Sequence, residues 1–322
     1  MNGRANDDRD PPRKPPRLRE GDTVGVVAPA SSWENRSEIL RGIAALEAWG
    51  LRVKLGAHVD DRHGYMAGTD ADRAADLDAM LADDDVRAIV CLQGGYGTPR
   101  LIPLLHEAAF RANPKAICGY SDLTTLHLAR QAWGNEISFY SNGVTGVGAP
   151  EVTDFSKASF KRALFSDEPF GQIGPNPDDP YVRTVVGGRA TGRLTGGCAG
   201  LLSSAIGTRL QPDLRGRIVV LEEIELEGYV LDGILTQLRN AGLFAGAAGI
   251  VVGDIKAKWS GGIAELSAED IVEELLAPLG LPLIFGLPIG HNKHHATVPL
   301  GALATLDADA GTLVVDEVVT AD

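Results

Sequence analysis

Short apolar runs alternate with stretches of helical periodicity through the first half of the chain. TVGVVAPA (23–30) is a near-continuous apolar strand. SEILRGIAALEAWG (37–50) spaces its apolar residues at helical intervals and ends in glycine, a common helix stop. The alternation continues with a strand in LRVKLGAHV (51–59), an amphipathic helix in DADRAADLDAMLADDD (70–85) and a strand in VRAIVCLQ (86–93). A helix in TPRLIPLLHEAAF (98–110) and a strand in AICGY (116–120) follow. Apolar strands separated by helices predict a parallel sheet covered on both faces. Ligands of such sheets bind beyond the carboxyl ends of the strands, which is where GGYG (94–97) and GYSD (119–122) both fall.

The pattern changes after about residue 165. SDEPFGQIGPNPDDPY (166–181) is rich in Pro, Gly and Asp and reads as part of a linker over 166–185. Beyond it come strand signals in RIVVLEEIEL (217–226), GIVVGDIKA (249–257) and TLVVDEVVT (312–320), interrupted by one long helix, YVLDGILTQLRNAG (229–242). The expectation is an α/β fold: a parallel-sheet domain over 20–165 and a smaller α+β domain over 186–322. Residues 1–19 are charged and proline-rich and read as a disordered lead-in without the apolar stretch of a signal peptide.

Composition narrows the function. The 322 residues suit two domains, and 44% hydrophobic with 23% charged residues is ordinary for a globular protein. A net charge of −13 argues against nucleic acid and anionic membranes as partners. No apolar run reaches membrane-spanning length. The three cysteines, Cys91, Cys118 and Cys198, lack a short metal-binding spacing and read as buried thiols of a reducing compartment, which predicts a cytoplasmic protein.

Ser121 stands where a buried strand turns into a helix. It suits a helix N-cap, with Asp122 at the positive end of the dipole. Position alone favours the cap, but the residue also suits a nucleophile on a tight strand-to-helix turn, with the next amide aimed at a developing oxyanion. The G-x-S-x-G pattern is absent, because residue 123 is leucine. A serine nucleophile needs a general base and the base an orienter. His127 follows on the same helix and projects away from the turn, and His58 and His63 flank a loop. The cluster in GLPIGHNKHHATVPLG (286–301) holds His291, His294 and His295. These are solvated loop residues, a base, or ligands of a zinc ion for which no Cys or Asp partner is placed. Glu222 and Glu223 close the apolar strand RIVVL, and either could hold an imidazole in one tautomer or face solvent. GGYG can cradle an anion with its amides, but it is not a G-x-G-x-x-G motif and no P-loop lysine follows it.

Together, GDTVGVVAPAS, YMAGTDADRAADL, GGYGTPRLIPLL, GYSDLTTL, TGGCAGLL, GRIVVLEEIE, LTQLRNAG, GIVVGD and GLPIGHNKHHATVPLG resemble the LD-carboxypeptidases. That serine peptidase family includes muramoyltetrapeptide carboxypeptidase and the microcin C immunity protein. The resemblance runs from about residue 20 to residue 320. It implies a Rossmann-like, class I amidotransferase-like first domain and a Ser-Glu-His triad split between domains. Ser121 would be the nucleophile, Glu222 the orienter and His291 the base, with the amides of Gly95 and Asp122 as the oxyanion hole. It also implies no cofactor or metal, a homodimer, and a murein tetrapeptide substrate that loses its terminal D-alanine. Alternatives are hydrolysis of an aminoacyl-nucleotide amide, with Trp259 or Tyr229 as a platform for the base, and a silent binding protein on the same fold. An amidotransferase would need a cysteine nucleophile, and Cys118 lies inside a strand. The chain departs from the family at Gln93 (commonly arginine), at His106 (commonly aspartate), in SFYSNGV (138–144) and in the Cys-Ala of TGGCAGLL. These departures bear on the substrate.

Overall fold

The computed structural model describes residues 11–178, 180–253, 255–258 and 266–322. The first half contributes β1 (Thr23–Val27), β2 (Arg52–Leu55), β3 (Val86–Cys91), β4 (Ala116–Gly119) and β5 (Ser138–Tyr140). Its helices are α1 (Arg36–Glu47), α2 (Asp70–Ala82), α3 (Glu107–Ala112), α4 (Thr124–Ala129), α5 (Val144–Val147) and α6 (Asp154–Phe165). The strands are mutually parallel in the order β2-β1-β3-β4-β5. The order reverses at β1, so the loops after β1 and β3 diverge and leave a crevice at their carboxyl ends. Thr69 and Asp72 start α2 with a reciprocal capping box. The helix expected over 98–110 is broken into a 3-10 turn, Thr98–Leu101, and α3. Pro103 between them has no amide to donate to a continuing helix.

The second half supplies β6 (Gly171–Ile173), β7 (Arg183–Val186), β8 (Arg189–Cys198), β9 (Arg217–Glu222), β10 (Leu226–Glu227), β11 (Gly249–Gly253), β12 (Ala257–Lys258), β13 (Leu283–Leu287), β14 (Val298–Leu300), β15 (Leu303–Asp307) and β16 (Thr312–Val315). With them come α7 (Ala199–Ala205), α8 (Gly228–Asn240) and α9 (Ala268–Leu276). Eight strands form one sheet in the order β6-β16-β15-β8-β9-β11-β13-β7, and its centre, β8-β9-β11-β13, is parallel. β10 and β12 pair as a separate ribbon. β14 leaves this half and pairs antiparallel with β5 at the edge of the first sheet, Val298 opposite Tyr140.

Two expectations are corrected here. The linker over 166–185 is not one: it carries β6 and the start of β7, which lie at opposite edges of the second sheet, on β16 and β13. Its Pro, Gly and Asp residues separate two edge strands rather than two domains. Residues 11–19 of the lead-in are ordered. The Arg13 amide donates to Asn135 O at 2.7 Å and its carbonyl accepts from the Ile137 amide at 3.0 Å. Farther on, the Arg17 amide donates to Ala321 O at 2.7 Å. The Arg13 guanidinium lies 2.5 Å from Glu136, a buried carboxylate that Arg130 also holds. Arg13 therefore meets a buried partner, and Leu18 is 2% exposed within the core. Residues 1–10 lie outside the described residues. Leu18→Ala is therefore expected to lower unfolding free energy by about 2–5 kcal/mol, read by urea titration. A solvated tail would leave the midpoint unmoved.

Among the described residues no helix is long and apolar enough to cross a membrane.

Candidate active site

β4 delivers the chain to Ser121 in a left-handed conformation, φ +63°. A non-glycine residue there stores about 1–3 kcal/mol of strain, so the surroundings must hold it. α4 begins at Thr124, and Ser121 opens the 3-10 turn ahead of it, off the N-cap position. The Ser121 hydroxyl lies 3.0 Å from His291 Nε2. His291 Nδ1 lies 2.7 Å from Glu222 Oε2. Ser121, His291 and Glu222 thus form one hydrogen-bonded line across the two sheets.

Ser121 follows the end of β4, Glu222 ends β9 and His291 comes from a loop. Glu222 is the last residue of β9, where its register partner on β8 is Cys198. His291 sits in the loop between β13 and β14, so one end of that loop is anchored in the second sheet and the other in the first. Gly290 permits the approach: at φ +105°, a Cβ there would fall 2.2 Å from Glu222 Oε2. Glu223 points elsewhere, accepting from the Gly200 amide at 2.9 Å and the Ile224 amide at 3.0 Å. Burial raises its pKa. Burial also pushes the His291 imidazole down. The hydrogen bond and charge of Glu222, helped by the charge of Glu223, outweigh this, and the net direction is up.

The other histidines take separate partners. Nδ1 of His294 lies 3.0 Å from Thr153 Oγ1, and its Nε2 lies 3.1 Å from Asp178. His295 directs Nδ1 at the Gly290 carbonyl, 2.5 Å away. His127 is buried between Ser138 Oγ and the Gly119 carbonyl, and burial pushes it down to about 4. It buttresses β4 without reaching Ser121. Among the described residues, His58, Asp61 and Asp72 are near enough to share a cation. His58 already bonds Asp61 at 2.7 Å, and the Asp72 carboxylate accepts from the amide and hydroxyl of Thr69.

The GGYG loop packs on Ser121: a Cβ on Gly94 would stand 3.0 Å from Ser121 Cβ. Gly95 follows, with its backbone against Ser31, whose Oγ accepts from the Tyr96 amide at 3.0 Å. Gln93 donates to the carbonyls of Ser31 and Ser32, fastening the loops after β1 and β3 together. The buried Asp122 carboxylate accepts from the Thr98 amide at 2.8 Å, and burial raises its pKa. Arg73, buried on α2, donates to the carbonyls of Pro29 and Gly97. Two contributors went unread in the sequence, Arg73 and Tyr140, and the Asp122 side chain, read as facing the helix dipole, accepts from the Thr98 amide. The Tyr140 hydroxyl accepts from the Ser121 amide at 2.9 Å and donates to Glu222 Oε1. Its one sequence signal was its place in SFYSNGV, a stretch that departs from the family. Of the departures, His106 lies on the surface against Asp78, and Tyr229 is exposed at the start of α8. Trp259 lies outside the described residues.

Comparison with known proteins agrees with this architecture. The model of the LD-carboxypeptidase N-terminal domain matches residues 24–141, and that of the C-terminal domain matches residues 191–306. A probable murein peptide carboxypeptidase of Bacillus subtilis (strain 168) is 36% identical over 313 residues, covering 94% of each chain. The structure of MccF in complex with glutamyl sulfamoyl guanosine superposes with a TM-score of 0.87 at 22% identity, covering 96% of this chain and 100% of that one. The muramoyltetrapeptide carboxypeptidase of Oxalobacter formigenes superposes with a TM-score of 0.79 at 26% identity, over 92% of this chain and 99% of that one. With both domains matched in order and a relative more than a third identical along nearly its whole length, this chain belongs to the LD-carboxypeptidase family.

Proposed function

We propose that the protein is a serine-type LD-carboxypeptidase that releases the terminal D-alanine of a murein tetrapeptide. The reading rests on the line from Ser121 Oγ through His291 to Glu222, with contacts of 3.0 and 2.7 Å. The names of the relatives support the substrate: a murein peptide in Bacillus subtilis and a muramoyltetrapeptide in Oxalobacter formigenes. The buried cysteines Cys91, Cys118 and Cys198, all unpaired, support a cytoplasmic location. The homodimer remains part of the proposal, and light scattering on the purified protein reads it.

In this mechanism His291 Nε2 takes the Ser121 proton as Oγ attacks the scissile carbonyl. Glu222 holds Nδ1–H and stabilises the imidazolium that forms. The Ser121 amide already donates to Tyr140, so the oxyanion falls to the amides of Asp122 and Gly95. His291 then protonates the leaving D-alanine nitrogen. A water, deprotonated by His291, releases the acyl group.

The test is mass spectrometry of murein tetrapeptide incubated with the enzyme. D-alanine release is the expected result. If the tetrapeptide stays intact while an aminoacyl sulfamoyl nucleoside is cut, the activity is of the immunity type and the murein assignment falls.

The direction of the His291 shift sets a pH dependence. The base must be neutral to act, and its pKa lies above the ordinary histidine value. kcat/KM is expected to fall on acidification through a midpoint above about 6.5. An acid limb centred below that value would mean that Glu222 does not hold the imidazole in the working enzyme.

A further inference from the structure

We infer that Tyr140 is a positioning residue of this site, locking Ser121 and Glu222 into one closed ring of hydrogen bonds; the inference rests on the triad proposed above. The ring starts at the Ser121 amide, which donates to Tyr140 Oη at 2.9 Å. Tyr140 donates in turn to Glu222 Oε1. Oε2 of the same carboxylate faces His291 Nδ1 at 2.7 Å, and His291 Nε2 returns to Ser121 Oγ at 3.0 Å. Main chain and side chain of one serine are therefore held from opposite ends of one path.

Two features show that the phenol is built in. Tyr140 is completely buried, and a Cβ on Gly197 of β8 would fall 2.9 Å from its ring, so β8 leaves the space that the ring fills. Its function follows from what it touches. Ser121 is held at φ +63°, and an acceptor for its amide stabilises that otherwise disfavoured conformation. Glu222 has two oxygens, and fixing one with a phenol fixes the direction of the other. Tyr140 thus sets where the nucleophile points and how the carboxylate meets the base, without touching substrate.

Removing the hydroxyl leaves the Glu222 charge less compensated, so it attracts a proton on His291 more strongly. The neighbours that could confuse this reading are accounted for. His127 on α4 and His295 in the 288–297 loop are held down by burial, and Tyr120 and Cys198 are raised by it. Glu223 remains, and the same series in a Glu223→Gln background removes it.

Tyr140→Phe is expected to lower kcat by up to about a hundredfold, as a misplacement of about 1 Å does. KM should change little, and the acid limb of the pH profile should move to higher pH. Replacing Tyr140 alone by 3-fluorotyrosine keeps the shape and strengthens the donor, so it should move the acid limb the other way. If Tyr140→Phe does not fold, the fluorinated enzyme decides. An unchanged acid limb in the fluorinated enzyme, or unchanged kcat and pH profile in Tyr140→Phe, overturns the inference. The triad would then still stand, provided Ser121→Ala is inactive. An active Ser121→Ala enzyme would instead remove the triad, and the inference with it.

Discussion

Ser121→Ala is expected to lower D-alanine release by about a millionfold, the loss that follows removal of a triad nucleophile. The substitution deletes one oxygen and leaves the turn alone. Alanine suffers the same backbone strain at φ +63° as serine, and its amide still donates to Tyr140. The fold should therefore be unchanged by circular dichroism and thermal melting, which makes the kinetic loss attributable to chemistry. Residual turnover should come from binding and the oxyanion amides alone. Single-turnover mass spectrometry over hours reads a loss of this size. A variant within tenfold of wild type would show that Ser121 is not the nucleophile.

Glu222→Gln should lower kcat by about ten-thousandfold, because an uncharged amide neither fixes the reactive imidazole tautomer nor stabilises imidazolium. Losing that charge should also lower the His291 pKa, so the residual activity should persist to lower pH. Glu223→Gln is the control. Its carboxylate meets the amides of Gly200 and Ile224 rather than His291, so an amide oxygen can still accept there. Its effect should fall mainly on stability, read as a lower melting temperature with kcat close to wild type. The reverse pattern, with Glu223→Gln inactive and Glu222→Gln active, would exchange the two roles.

This pair shows what a sequence can reveal and where it stops. An acid at the end of RIVVL was visible, but which of two adjacent acids faces the histidine was not. Successive strand residues point to opposite faces, so the choice depends on which face of β9 meets the second loop. Ser121 was visible as a candidate because it follows a buried strand and Gly119, whereas His291 was one of three histidines in a glycine- and proline-rich loop, and only the family resemblance singled it out. The alternation of the first sheet was legible because its central strands β1, β3 and β4 are buried on both faces and read as apolar runs. β8 was not: RATGRLTGGC carries three glycines and several polar residues, and it is a strand because β9 and β15 pair with it on either side. The ordered segment over 11–19 was hidden for a similar reason. Its partners, Asn135, Glu136, Ile137 and Ala321, are remote in sequence, so no local pattern announces them. Tyr140 was missed because a tyrosine at a strand end is ordinary core composition until its hydroxyl is seen between two members of the site.

The pairing of β14 with β5 governs how the protein is born. Domains generally fold as units during synthesis, the N-terminal one first. Here the first sheet cannot be finished on that schedule, because its last strand, residues 298–300, leaves the ribosome long after β5, residues 138–140. Until then β5 presents an open edge of the kind that recruits foreign strands. The segment that closes this edge also draws His291 up to Ser121. A nascent or truncated chain lacking β14 would thus be both sticky and inert, and hydrolytic competence would arrive only with the closing of the sheet.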